Sequence, residues 1–339
     1  MKCELVNRID ESKYLDFMKN KILQKNIKLS KIYENLNNYN YYYIVCKENN
    51  EYLGVFPFIL YKNQLANVIN SMPFIGYGGI AVKKEVRNEV FKSIIKFLEN
   101  YAYENNVDLI TICTEAFEEN YDLYTEYFKG DFIKENIFQY IDLHSDVMSG
   151  IKNMFKRNAR KSIRYGVKII EDNSHEKLQY WYNKIYMKRL LETGCSIYPY
   201  SVFENLIDEY DNSKSEMLYA IYENKIVGGG VFLKQDKSID NFMRVVDSEY
   251  FKTQAGTLID FYSIEKAIKQ GVDFYNWQSC QGPGSSIFEY KQGWGSQVGK
   301  HHYITKIIKN IEKIREIPIE KIKKNFNGIY VLPYENFKH

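Results

Sequence analysis

One succession of elements occurs twice along the chain, and it limits the fold more than any other feature. In the first half, the β-branched and aromatic run from Tyr41 to Cys46 is followed by the polar turn Lys47-Glu48-Asn49-Asn50 and the apolar run from Tyr52 to Leu60, which reads as a hairpin. A Gly-rich segment, Ile75-Gly76-Tyr77-Gly78-Gly79-Ile80, precedes a helix whose apolar face is Val90, Ile94, Ile95, Phe97, Leu98 and Tyr101; a strand, Leu109 to Cys113, follows. In the second half, Leu218 to Tyr222, the turn Glu223-Asn224-Lys225 and Ile226 to Leu233 restore the hairpin, with Gly228 answering Gly54. A helix from Thr257 to Lys269, its stop at Gly271 and a strand from Val272 to Trp277 complete the second copy. A unit repeated once, offset by about 175 residues, means two related domains, since a solenoid needs several short repeats. The length of 339 residues agrees, being more than one hydrophobic core usually organises.

The flanking segments place the boundaries. An amphipathic helix opens the chain at Ser12 to Lys21, and helical pattern continues to about Tyr33. Between the copies lie a strand (Phe138 to Leu143), an N-cap at Ser145 or Asp146, and a strongly basic helix ending at Gly166. A strand (Val167 to Glu171), a helix (His175 to Leu191) and a helix opened by the capping box Ser201/Glu204 and ending near Tyr210 come next. The expected architecture is α/β (α+β): two tandem domains, each a mixed, mostly antiparallel sheet flanked by helices. Residues 1–143 form the first, 144–303 the second, and 304–339 a basic tail. In that tail Ile304, Ile307, Ile308, Ile311 and Ile314 fall at helical spacing, and six lysines and one arginine face three glutamates between Ile304 and Lys324.

Composition excludes several classes. Net charge is +3 with both signs interspersed, so the chain is not a bulk nucleic-acid coat. Five scattered cysteines, odd in number and without a CxxC, fit a reducing cytoplasm. The acidic residues Glu4, Asp10, Glu11 and Asp16 leave no signal-peptide core in the first 21 residues, and the longest apolar stretch is far shorter than a membrane span. Cytoplasmic localisation is the expectation. No His or Cys group has metal-ligand spacing, and the adjacent His301 and His302 diverge on any regular element, so no metal is expected.

Two segments carry a family resemblance. Tyr140-Ile141-Asp142-Leu143, followed by the helix containing Arg157-Asn158-Ala159-Arg160-Lys161-Ser162-Ile163-Arg164-Tyr165-Gly166, resembles the Fem family of peptidoglycan bridge-forming aminoacyltransferases and their FemAB-like or BioF2-like relatives among the GNAT acetyltransferases. Gln270-Gly271-Val272-Asp273-Phe274-Tyr275-Asn276-Trp277 and Phe288-Glu289-Tyr290-Lys291-Gln292-Gly293-Trp294-Gly295 resemble the family's helix-end glycine with its strand and its terminal Phe-Lys-x-x-Phe-Gly pattern. Residues 140 to 300 are covered. The sequence departs from the pattern at Asn276, where an Asp is common, at Tyr290 and Trp294, which replace phenylalanines, and at Lys252 to Thr257, which is not the usual pyrophosphate loop. The resemblance implies an acyltransferase with no tightly bound cofactor, using acyl-CoA or aminoacyl-tRNA as co-substrate. Acyl-CoA is slightly preferred, because the chain has no long charged heptad insertion of the kind that forms a helical arm.

Acyl transfer to an amine needs a neutral amine and donors aimed at the developing oxyanion. By resemblance, Lys291 meets an anionic part of the substrate or the developing charge. Asn276, Gln278 and Tyr290 are candidates for orienting the amine, Asn276 and Gln278 because alternation puts them on one face of a strand. Arg157, Arg160, Lys161 and Arg164 lie at i, i+3, i+4 and i+7, one cationic helix face suited to substrate phosphates or a tRNA backbone. Arg244, Tyr198 and Tyr200 are further substrate-binding candidates. Gly228, Gly229 and Gly230 signal a bulge or a close backbone approach; with Gln254 and Gly256 they form the donor-binding candidates. The expected function is N-acylation of a small-molecule or nucleotide-linked envelope precursor or a sugar. The rival is a non-catalytic module for a phosphorylated ligand or for an anionic membrane surface, contacted through the basic tail.

Overall fold

The computed structural model describes residues 1–18, 33, 36–71, 77–116, 120–208, 215–234, 237–309, 311–326 and 329–333. The chain divides into two compact units, Met1–Asn136 with Lys300–His339, and Ile137–Gly299. The residues expected to form a separate tail thus belong to the first unit. The helix expected to run on to about Tyr33 falls largely outside the described residues.

The first unit is built on β1 (Lys2–Val6), α1 (Glu11–Met18), β2 (Tyr39–Glu48), β3 (Glu51–Lys62), β4 (Asn67–Asn70), β5 (Ala81–Val82), α2 (Arg87–Glu104) and β6 (Leu109–Cys113). Its strands run β1-β2-β3-β4-β6, antiparallel except for the parallel β4–β6 pair, with β5 against β3. On one face, Val90, Phe91, Ile94, Ile95 and Leu98 of α2 pack on Ile44, Phe56 and Phe58; on the other, Tyr14, Phe17 and Met18 of α1 cover Tyr43, Val45 and Val55. Helical spacing on α1 and α2 and two-residue alternation on β2 and β3 bring these residues together.

The second unit continues with β7 (Phe132–Asp142, from Ile137 onward), α3 (Asn153–Arg164), β8 (Lys168–Glu171), α4 (His175–Trp181), α5 (Met187–Thr193) and α6 (Tyr200–Asp208). β9 (Ser215–Tyr222), β10 (Lys225–Lys234), β11 (Ser238–Val246), α7 (Ala255–Lys269), β12 (Phe274–Cys280) and α8 (Ser286–Gln292) complete it. Strand order is β8-β9-β10-β11-β12-β7, antiparallel except for β11–β12. Phe155 and Ala159 of α3 and Leu258, Ile259 and Ile264 of α7 share a core with Leu218, Phe232 and Tyr275. A π-turn, Tyr182–Tyr186, joins α4 to α5, and Gly194 in the left-handed region (φ 69°) ends α5.

The basic helix comes in two pieces. Asp146 caps a single turn, Val147–Gly150, accepting from the Ser149 N–H at 3.3 Å; Lys152 is extended, and its N–H donates to the Gly293 carbonyl at 2.9 Å before α3 begins. At the C-terminal end, β13 (Gln297–Ile307) pairs from Tyr303 to Ile307 with β6, and α9 (Glu312–Arg315) and α10 (Ile319–Asn325) follow. The helix read from the isoleucines at 304–314 is therefore a strand in its first part. Ile304, Ile311 and Ile314 of that run are buried and Ile307 and Ile308 half-buried, so much of this apolar face packs within the first unit. No described helix is long and apolar enough to cross a membrane.

Candidate functional site

The site follows from the way β11 and β12 part. Their parallel pairing covers only Ser238↔Phe274, Ile239↔Tyr275 and Asp240↔Asn276. Beyond that point β11 carries a bulge, since its register with β10 moves from Phe232↔Asn241 to Val231↔Met243 and leaves Phe242 as the extra residue. β12 kinks too: Gln278 lies at φ 62°, and the register with β7 shifts between Asn276 and Ser279. The edge of β11 facing β12 thus has no strand partner after Asp240.

A cavity of about 500 Å³, within the range of small-molecule sites, opens there. Phe242, Met243, Val245, Val246 and Phe251 give one apolar wall; Trp277, Gln278, Ile287, Tyr290 and Lys291 form the opposite one, and α5 closes it with Arg189 and Leu190. The lining includes three cations, Arg189, Arg244 and Lys291, and no carboxylate. Arg189 is held by Glu192 at 2.9 Å.

Behind the wall lies a buried polar network. Asp260 of α7 is fully buried and accepts from Arg244 Nη2 (2.9 Å) and Nε (3.2 Å), from the Tyr290 hydroxyl (2.6 Å) and from Asn241 Nδ2 (3.2 Å). Asn241 also donates to the Tyr275 hydroxyl at 3.0 Å, which lies 2.8 Å from Ser263 Oγ. Burial pushes the Asp260 carboxyl up, while the Arg244 charge and the three donors pull it back. Burial likewise raises the Tyr290 phenol, and its proton is committed to Asp260, so Tyr290 is a poor base. The guanidinium of Arg244 also sits over the Tyr290 ring, 5.3 Å from its centroid.

Lys291, on α8, donates to three successive carbonyls, Trp277 (2.7 Å), Gln278 (3.2 Å) and Ser279 (3.2 Å). Burial pushes its amine down to about 8, against the preference of three carbonyl acceptors for the ammonium form. Its position there pins the kinked end of β12. Asn276 does not share a face with Gln278: the kink breaks the alternation, and the buried Asn276 accepts the Gln278 N–H at 2.9 Å instead of lining the cavity. Two buried donors on the cavity wall, Trp277 Nε1 and Gln278 Nε2, have no acceptor among the described residues. Trp181 Nε1 and Trp294 Nε1 share this state among the described residues, so what distinguishes Trp277 and Gln278 is their place on the cavity wall.

The other sequence candidates lie elsewhere. Gly228, Gly229 and Gly230 are paired with both β9 and β11, and a Cβ on Gly229 would stand 3.0 Å from the Leu218 carbonyl oxygen and from a Trp181 ring carbon. They are packing glycines one strand removed from the opening. Gln254 adopts the left-handed conformation that starts α7, and Gly256 abuts Arg244, whose Nη1 is 2.9 Å from the position of a Cβ; neither lines the cavity. Tyr198 and Tyr200 support the wall from behind, Tyr198 through its contact with Phe242 and Tyr200 against Tyr182. Arg157, Arg160, Lys161 and Arg164 are exposed on α3 and take no part in the lining. Cys280 donates to Gln139 Oε1 at 3.4 Å, and burial raises its thiol, the reverse of an activated nucleophile. Sequence reasoning missed Asp260, Asn241 and Trp277. Only Asp260, an acid among the apolar residues of a helix, left a visible signal.

No family model and no curated protein sequence matches the chain. Solved structures do. FemX superposes with a TM-score of 0.70 at 11% identity, covering 90% of this chain and 97% of its own. A tandem GNAT protein from the clavulanic acid biosynthesis pathway, solved without AcCoA, gives 0.59 at 10% identity over 91% and 99%. L-PGS from Bacillus licheniformis gives 0.58 at 14% identity over 93% and 95%. The chain therefore has the FemAB-like, GNAT-type fold in two tandem units, as its motifs imply.

Proposed function

We propose that the second unit is an N-acyltransferase that takes its acyl group from a thioester lodged between β11 and β12. The observation that carries this reading is the opening itself: two parallel strands part at a bulge, around a cavity with an apolar wall, three cations and no carboxylate. An extended acyl donor with an anionic end suits that lining, the apolar wall taking the chain and Lys291, which has no carboxylate partner among the described residues, its charge. Trp277 and Gln278 hold buried donors with no acceptor among the described residues, as expected of groups that meet a ligand carbonyl. In the reaction the acceptor nitrogen bonds to the carbonyl carbon, the C–S bond breaks, the thiolate leaves, and the nitrogen loses its proton to solvent. Lys291 holds the carbonyls of residues 277–279 and supplies positive potential where negative charge develops.

Acyl-CoA is the donor this reading prefers, and the likeness to a tandem GNAT protein described with respect to AcCoA supports it. Aminoacyl-tRNA is the alternative within the same reaction class. For the acceptor we propose an amine on a cell-envelope precursor or a sugar, on the strength of the Fem-like motifs and the FemX fold.

Thermal unfolding with and without acetyl-CoA tests this, because a ligand of the folded state raises the apparent stability. The native chain is expected to shift upward. Gln278→Met removes a donor that has no partner among the described residues, so its unliganded midpoint should hold to within about 1 kcal/mol while the ligand-induced shift shrinks. No shift in the native chain, or an undiminished shift in Gln278→Met, argues against the reading.

A further inference from the structure

The outward face of α3 has no function in the site described above, yet its composition is unfavourable unless something answers it. Phe155, Ala159 and Ser162 form the buried stripe. Opposite them Arg157, Arg160, Lys161 and Arg164 are exposed, with Lys152 and Lys168 exposed at either end and no acidic residue between those two lysines. None of the six has an ion pair among the described residues. The helix dipole favours Lys161 and Arg164 in the last turn, but it opposes Lys152 at the N-cap, and no acid occupies the first turn to relieve it. Large exposed apolar side chains border this face, Met154 (48%) and Tyr165 (48%) on the side of Lys161 and Ile163 (59%) on the side of Arg160. Lys161 Nζ lies 5.4 Å from the centroid of the Tyr165 ring, so charge and apolar surface are interleaved.

We infer that this face docks the chain on an anionic lipid bilayer. Cations near such a surface contribute about 1 kcal/mol each, and apolar side chains among them gain by entering the headgroup region. An RNA backbone would satisfy the cations equally but leave Met154 and Ile163 in water, so the bilayer fits the whole patch and RNA only part of it. The attachment is separate from acyl transfer and would hold if the catalytic reading failed.

Co-sedimentation of the full-length chain with vesicles of phosphatidylcholine, with and without phosphatidylglycerol, tests it. Binding should occur with the anionic vesicles only and weaken about fivefold for each of Arg157→Ala and Arg164→Ala. The Met154→Ser/Ile163→Ser variant, which keeps every charge, should also bind more weakly. All four side chains are exposed, so the unfolding midpoint serves as a control and should stay put. Equal binding to both vesicle types, no binding to either, or unchanged binding in the arginine variants overturns the inference. So does a chain that binds tRNA through these arginines and ignores the vesicles.

Discussion

At the residue scale, the site turns on how a buried lysine holds its charge. Lys291 is charged below about 8 and neutral above it, because burial lowers its affinity for the proton. Affinity for an anionic donor should therefore be level below that pH and fall as pH rises through it. Lys291→Arg keeps the charge at every accessible pH, so it should remove that step, whatever it does to the absolute affinity. Calorimetric titration with acetyl-CoA on both sides of pH 8 reads the difference, and the same falling limb in both proteins would mean that another group titrates. The Arg244–Asp260 pair contrasts with this. Asp260 is fully buried with two bonds from Arg244, one from Tyr290 and one from Asn241, so it holds the wall in place rather than exchanging protons with substrate.

At the scale of elements, glycines mark where a helix crosses a strand. A Cβ on Gly54 of β3 would lie 2.5 Å from Val90 Cγ1 and 2.9 Å from Ile94 Cδ1 of α2. Gly54→Ala should thus overpack the first unit and cost about 1–3 kcal/mol, seen as a lower midpoint in denaturant. Gly282→Ala, where a new Cβ meets nothing within 4 Å, should stay within about 0.5 kcal/mol and serves as the matched control. An equal effect of both would remove packing as the cause. These crossings also explain what was legible in the sequence. The hairpins, α2 and α7 were readable because periodicity and turn residues are local signals. The kink at Gln278 was not, since it depends on Asn276 accepting one N–H and on Lys291 gathering three carbonyls from another element. The run from Ile304 misled for a related reason: its spacing suits a helix, but its partner strand β6 lies almost two hundred residues away, Tyr303 pairing with Cys113. Lys291 was found from a motif, whereas Asp260 and Trp277 needed the fold to bring them beside Arg244 and Tyr290.

At the scale of the whole molecule, the duplication raises the question of how many donors one chain takes up. The first unit repeats the parallel pair of the second: Val68↔Leu109, Ile69↔Ile110 and Asn70↔Thr111 correspond to the three pairs of β11 and β12. Past Asn70, however, the chain fills its own opening. The Ser71 N–H donates to the Thr111 carbonyl at 3.1 Å, and the Gly78 N–H to the Cys113 carbonyl at 3.1 Å. The C-terminal segment enters beside them: Asn70 Nδ2 donates to the Tyr330 carbonyl (2.8 Å), and Thr111 and Thr305 donate to that of Val331 (2.5 and 3.1 Å). Val331 and Leu332 are buried there. The Thr111 and Cys113 carbonyls and the side chains of Asn70, Thr111 and Thr305 are thus bonded within the first unit, where the second unit keeps an open cavity, and displacing their partners would leave buried polar groups unpaired. Titration calorimetry with acetyl-CoA should accordingly give one site per chain, and Gln278→Met should weaken that one site without uncovering a second. Two equivalents would show that the C-terminal segment gives way to ligand, and the first unit would then have to be counted as a second acyl-donor site rather than as a closed copy.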